Sequence, residues 1–180
     1  MIDKHKIPNL LTFGRLAAIP FLVAGFYLPQ PYAALTTSLV FAAASITDWL
    51  DGYLARKWNA GSTMGRILDP VADKLLVVAA LIPLAISGVA PMIPTLLILL
   101  REVLISGLRE GLSARQVTLH VSTLAKYKTA LQMAAIVALL ASPLFAALAT
   151  PGKLMLWVAA LLTAWTGYQY GVASFQQLKD

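Results

Sequence analysis

The chain has 180 residues, 59% of them hydrophobic and only 12% charged, with a formal net charge of +6. A soluble domain carries about 25% charged residues, so a mean hydropathy of +0.75 excludes water as the host for most of this surface. The absence of cysteine excludes disulfides and thiolate metal sites.

Six apolar stretches follow in chain order: Ile7–Leu28, Tyr32–Lys57, Thr63–Ser87, Pro91–Gly111, Tyr127–Ala149 and Lys153–Gln176. Each is about 20 residues or longer, enough at ~1.5 Å per residue to cross a ~30 Å hydrocarbon core. The first lacks a small-residue cleavage site and precedes five more, so it reads as a span rather than a signal peptide. Turn-forming residues separate the stretches: Pro29-Gln-Pro31, Asn59-Ala-Gly61, Gly88-Val-Ala-Pro91 and Pro151-Gly152. Pro20, Pro83 and Pro143 fall inside spans, where a membrane helix tolerates proline. The pattern predicts an all-α integral membrane protein, one domain over 1–180 with six transmembrane helices. Residues 1–6 form a short charged segment at the inner surface.

The basic residues orient this bundle. With both termini cytoplasmic, every Lys and Arg except Lys153 falls in the cytosolic half, and the outer loops around Pro29–Pro31 and Gly88–Pro91 carry no charge. The excess of positive charge then lines the inner membrane face. Its partners there are anionic lipid headgroups and phosphorylated substrates, not nucleic acid.

Of eight carboxylates, six lie away from the termini: Asp48, Asp51, Asp69, Asp73, Glu102 and Glu110. An ionised Asp within a span costs on the order of 2.5–3.5 kcal/mol, so such residues usually serve a site. Asp48, Asp51 and Gly52 share one helical face, as do Gly65, Asp69 and Asp73. A short turn through Asn59-Ala-Gly61-Ser62 joins these two helices, so the acidic stripes are expected to face one another at the cytosolic mouth. Four clustered carboxylates need cations or protons. Oxygen ligation without His or Cys favours Mg²⁺ or Mn²⁺, and two such ions would clamp a diphosphate. An Asp–Arg network serving only the fold is the competing account, and Arg56 and Arg66 are too few to balance it. A small cation transporter is the alternative of another class, although no carboxylate marks the outer half of any span.

Written out, the acidic run is Asp48-x2-Asp51-Gly52-x2-Ala55-Arg56-x8-Gly65-x3-Asp69-x3-Asp73. It resembles the signature of the CDP-alcohol phosphatidyltransferase family at every fixed position and in every gap. The resemblance implies that Asp48, Asp51 and Asp69 ligate the metals. It implies too that Asp73 is the base for the acceptor hydroxyl and also touches a metal. Gly52, Ala55, Arg56 and Gly65 would shape the CDP pocket, with Arg56 on the phosphates. The hydroxyl attacks the β-phosphorus of a CDP-activated lipid and CMP leaves. The family also implies a six-helix fold with a cytosolic site in the bacterial inner membrane, and a homodimer.

Further segments are similar to the bacterial branch of that family whose donor is CDP-diacylglycerol and whose acceptor is sn-glycerol 3-phosphate. They are Pro8-Asn9-x2-Thr12-x2-Arg15, Leu68–Lys74, the pairs Arg101-Glu102 and Arg109-Glu110, and Lys126-Tyr127-Lys128-Thr129. Ala125 departs from the glycine usual there. Asn9, Thr12 and Arg15, three apart, are expected to face the donor side together, although capping accounts equally for Thr12. An acceptor with a phosphate monoester needs cations outside the metal site, and Arg101, Arg109, Arg115, Lys126 and Lys128 are the candidates. Adjacent helical residues do not face each other, so a simple Arg101–Glu102 pair is not expected. A same-fold enzyme with phosphatidylglycerol as acceptor is the nearest alternative.

Overall fold

The computed structural model describes residues 7–58, 63–114 and 123–177, with side chains over most of 12–50, 68–108 and 127–174. Six α-helices make up nearly all of it: α1 (Ile7–Gly25), α2 (Tyr32–Trp58), α3 (Thr63–Ile86), α4 (Met92–Ala114), α5 (Thr123–Ala141) and α6 (Ala149–Gln177). Polar side chains inside these apolar runs bond to their own helix. Thr37 Oγ1 donates to Ala33 O at 2.7 Å, Ser45 Oγ to Phe41 O at 2.8 Å and Ser174 Oγ to Tyr170 O at 2.7 Å. Back-bonding to the preceding turn satisfies hydroxyls where water is absent.

Helix ends follow local chemistry. Gly88, at φ 72°, turns the chain out of α3, and Ala90 N–H closes the turn on Leu84 O at 2.9 Å. Such a left-handed residue after a helix is favoured in glycine, which has no Cβ to clash. The fifth connection differs from expectation. Pro143 does not sit inside a span, because α5 ends at Ala141 and a 3₁₀ turn (Ala146–Leu148) leads into α6. Pro151-Gly152 is not a turn but the first turn of α6, where proline loses no hydrogen bond because the first N–H groups are unpaired anyway. Pro20, Pro70 and Pro83 do lie within helices.

The most extensive packing is of α5 on α6, followed by α1 on α2, α4 on α6 and α1 on α3. Small residues allow close approach. A Cβ at Gly152 would lie 3.0 Å from Leu139 Cδ2, and one at Gly25 would lie 3.0 Å from Thr37 Cγ2. Leu22, Phe41, Leu76, Leu81, Ile98, Ile136 and Leu156 form the buried core. The outside is also apolar: Phe21, Ile46, Ile86, Leu100, Leu104 and Leu161 are exposed. An outer face of this kind suits lipid rather than water. Two segments, Tyr32–Leu50 and Ala146–Val172, are long and apolar enough to qualify individually as membrane spans.

One arrangement differs from the expected helix hairpin. Among the described residues α2 and α3 touch little, whereas α1 packs along both. The acidic stripes on α2 and α3 therefore meet through α1.

Candidate active site

Thr12 and Arg15 lie three apart on α1, and Asp69 and Asp73 four apart on α3, so each pair shares a helical face. The two faces meet rung by rung. Thr12 Oγ1 donates to Asp69 Oδ1 at 2.5 Å, and Arg15 Nη1 donates to Asp73 Oδ1 at 2.5 Å. Lower numbers pair with lower and higher with higher, so α1 and α3 run parallel. Arg15 also reaches α2, with Nη2 2.8 Å from Asp48 Oδ1. Its side chain is fully buried, while Asp48 and Asp73 keep 39% and 38% of theirs exposed. Asp48 and Asp73 share one guanidinium. The guanidinium thus grips one side of each carboxyl from behind and leaves the acids facing outward.

In front of these acids lies a cavity of about 640 Å³ between α2, α3, α4 and α5. Asp48 and Asp73 form one wall, and Lys74, Arg101 and Lys128 the other, with Val77, Leu99 and Met133 among the apolar lining. Ser45 Oγ on α2 lies 3.9 Å from Met133 Sδ on α5, which brings these two helices into register beneath the site.

The basic wall is organised by Glu102. Lys128 Nζ donates to Glu102 Oε1 at 2.7 Å, and Arg101 Nη1 donates to the same oxygen at 3.1 Å. This corrects the expectation that Arg101 and Glu102 would not pair. Adjacent Cβ atoms do diverge, but Lys128 draws Glu102 towards α5 and both long side chains extend into one cavity. Arg101 Nη2 also donates to Thr166 Oγ1 on α6 at 3.3 Å. Gly167 makes room for this side chain: a Cβ there would lie 3.1 Å from Arg101 Cγ. Three cations against one carboxylate leave this wall net positive, suited to a phosphate dianion. The opposite wall has two carboxylates against one guanidinium and is net negative, suited to a cation.

Of the residues singled out from the sequence, the structure brings together Asp48, Asp69 and Asp73 with Thr12 and Arg15, and separately Arg101 with Lys128. Thr12 and Arg15 bond to the aspartates. The side chains of Asn9, Asp51, Ala55, Arg56, Arg109, Arg115 and Lys126, with Gly52 and Gly65, lie outside the described residues. Among the described residues no three acids are grouped closely enough to hold an ion, Asp51 of the same motif not being among them. Lys74, Gln132, Thr166 and Gly167 were not foreseen. Lys74 directly follows Asp73, and Gln132 is the polar break in the run Leu131–Ala141, one turn after Lys128. The roles of Thr166 and Gly167 arise only from the contact between α4 and α6.

The sequence profile of the CDP-alcohol phosphatidyltransferase family matches residues 5–165. The chain is 48% identical over 172 residues to CDP-diacylglycerol–glycerol-3-phosphate 3-phosphatidyltransferase of Rickettsia bellii, covering 94% of each chain. To the protein of that name from Pectobacterium atrosepticum it is 42% identical over 171 residues, covering 93% of each. It is also 42% identical over 179 residues to cardiolipin synthase (CMP-forming) of Oryza sativa subsp. japonica, covering 89% of this chain and 54% of that protein. Profile, relatives and a cavity with one acidic and one basic wall agree, and this membrane protein belongs to the CDP-alcohol phosphatidyltransferase family.

Proposed function

We propose that the chain transfers the phosphatidyl group of CDP-diacylglycerol to sn-glycerol 3-phosphate, releasing CMP and forming phosphatidylglycerophosphate for phospholipid synthesis. The observation that carries this reading is the two-walled cavity, with Asp48 and Asp73 facing Lys74, Arg101 and Lys128. A transferase joining a diphosphate donor to a phosphorylated alcohol needs both walls. Family membership removes the transporter reading. The rice relative raises cardiolipin synthase as a second possibility, with phosphatidylglycerol as acceptor. That acceptor carries only a phosphodiester, with a single charge, and the basic wall suits the monoester of glycerol 3-phosphate better.

The aspartates fit a hard divalent ion. Asp48 and Asp73 are offset by one guanidinium, their donors are all oxygen, and both remain partly exposed to the cavity. Asp48, Asp51, Asp69 and Asp73 are the residues that would hold Mg²⁺ or Mn²⁺, in a two-ion site. Such ions supply charge neutralisation for the diphosphate and the departing CMP. Arg15 and Thr12 fix the carboxyls of Asp48, Asp73 and Asp69 in orientation. Asp73, held at Oδ1 by Arg15, takes the proton of the acceptor hydroxyl at its other oxygen. The hydroxyl oxygen then bonds to the β-phosphorus, the bond from that phosphorus to the CMP oxygen breaks, and CMP departs. Arg101, Lys128 and Lys74 hold the acceptor phosphate, joined by Arg109, Arg115 and Lys126. Gly52, Ala55, Arg56 and Gly65, with Asn9, complete the CDP side.

This reading has six membrane spans with both termini cytoplasmic, in a bacterial inner membrane, and the site at the cytosolic surface, as the distribution of Lys and Arg supports. The donor's acyl chains remain in the bilayer, and the working unit is a homodimer. The test is CMP release by purified protein in micelles with CDP-diacylglycerol, Mg²⁺ and one acceptor at a time. Release that requires glycerol 3-phosphate supports the reading. Release with phosphatidylglycerol alone moves the acceptor, and no release with any alcohol refutes transfer.

A further inference from the structure

Among the described residues lining the cavity, two carry a buried polar atom with no hydrogen-bond partner: Arg101 Nε and Gln132 Oε1. The first packs near Gly167 on the α6 side. The second stands differently. Gln132 is only 3% exposed, its unpaired atom is an acceptor, and the residue lines the cavity beside Thr129 and Met133. An amide carbonyl buried without a partner is costly, so its retention calls for a ligand.

Its position says which group of the ligand. Gln132 lies one turn beyond Lys128 on the same face of α5, and next to Met133, which touches Ser45. Ser45 precedes Asp48 by about one turn on α2, so Gln132 lies one turn deeper than both Lys128 and Asp48, at the floor of the cavity beneath them. With phosphate on Lys128 and Arg101 and the reacting hydroxyl on Asp73, the carbon between them lies over this floor. In glycerol 3-phosphate that middle carbon carries a second hydroxyl. Lys128 and Arg101 are donors only and cannot accept its hydrogen, whereas an amide oxygen can.

We propose that Gln132 is a specificity-determining residue whose Oε1 accepts a hydrogen bond from the non-reacting hydroxyl of the acceptor. This rests on the reading of the site as one for glycerol 3-phosphate. It predicts selection for an acceptor with a hydroxyl on the middle carbon, beyond selection for the phosphate.

The test compares glycerol 3-phosphate with 3-hydroxypropyl phosphate, which lacks only that hydroxyl, by CMP release in micelles. The wild-type protein should favour glycerol 3-phosphate by about tenfold or more in kcat/KM, the size of one hydrogen bond to a buried group otherwise left unpaired. Gln132→Met, similar in volume and without the acceptor oxygen, should bring the ratio close to one. A wild-type ratio near one overturns the proposal without any variant, so a misfolded Gln132→Met does not protect it. An unchanged high ratio in folded Gln132→Met overturns it too. Glycerol 3-phosphate inactive with wild-type protein would refute the acceptor reading itself, a distinct result from equal use of the two phosphates.

Discussion

Gly167→Ala tests whether the basic wall is held in place from behind. The added Cβ would lie 3.1 Å from Arg101 Cγ, 3.5 Å from Nε and 3.9 Å from Cδ. Carbon atoms settle at about 3.5–4.0 Å, so Arg101 must retreat by roughly 0.4 Å or more. Its contacts have little slack: Nη2 is 3.3 Å from Thr166 Oγ1 and Nη1 is 3.1 Å from Glu102 Oε1, at the long end for N–H···O bonds. A shift of that size takes the guanidinium out of register with a bound phosphate. Partial loss of one charge-assisted contact is worth about 1.4 kcal/mol, or tenfold. The acceptor KM in the CMP-release assay should therefore rise about tenfold, with a smaller change in kcat and none in donor KM. Overpacking should lower stability by about 1 kcal/mol, read as a lower unfolding midpoint in detergent. An acceptor KM within twofold of wild type would refute the reasoning, since Arg101 would then either not be braced by α6 or not bind the acceptor.

Asp73→Asn should reduce turnover by a factor on the order of 10³ while donor binding, followed by titration with CDP-diacylglycerol in micelles, persists. Near-native turnover would remove Asp73 from the role of base. Arg15→Ala leaves Asp48 and Asp73 facing each other without their shared counter-charge. Breaking a buried pair costs about 3–5 kcal/mol, and the lower end applies because both carboxyls are over a third exposed. The expected outcome is a markedly lower unfolding midpoint, and an unchanged one would mean that Arg15 is not structural. Chelation with EDTA should abolish CMP release, and excess Mg²⁺ or Mn²⁺ should restore it. Full activity in chelator would leave the aspartates without their proposed ions.

Periodicity and cost made the helices and the acids legible in the sequence. Long apolar runs announce the helices, and a carboxylate within a span stands out because it is expensive there. The misplaced fifth connection shows the limit. Pro151-Gly152 has turn composition, but proline is equally at home in a helix's first turn, and only the packing of Gly152 against Leu139 decides between them. Arg15 was visible as a member of a three-residue pattern, but its target was not. Its partners are Asp48 and Asp73 on two other helices, and nothing in spacing along one helix reports a contact across three. Gln132 and Gly167 were silent for the same reason. A lone amide and a lone glycine acquire meaning only from what stands opposite.

The bridge made by Arg15 also bears on how the chain is built. Helices enter a bilayer roughly in order of synthesis, and α1 brings a guanidinium that costs about 2.5–3.5 kcal/mol near the centre of a span. Asp48, the first partner, arrives with α2, and Asp73 only with α3. The nascent helix therefore carries an unmet charge until α2 has been inserted, and gains its second carboxylate only with α3. Catalytic geometry and completed assembly become one event, because the residue that aligns the acids is the one whose burial depends on them. A chain halted before α3 would hold Arg15 with one of its two carboxylate partners, and the acids would not yet be aligned.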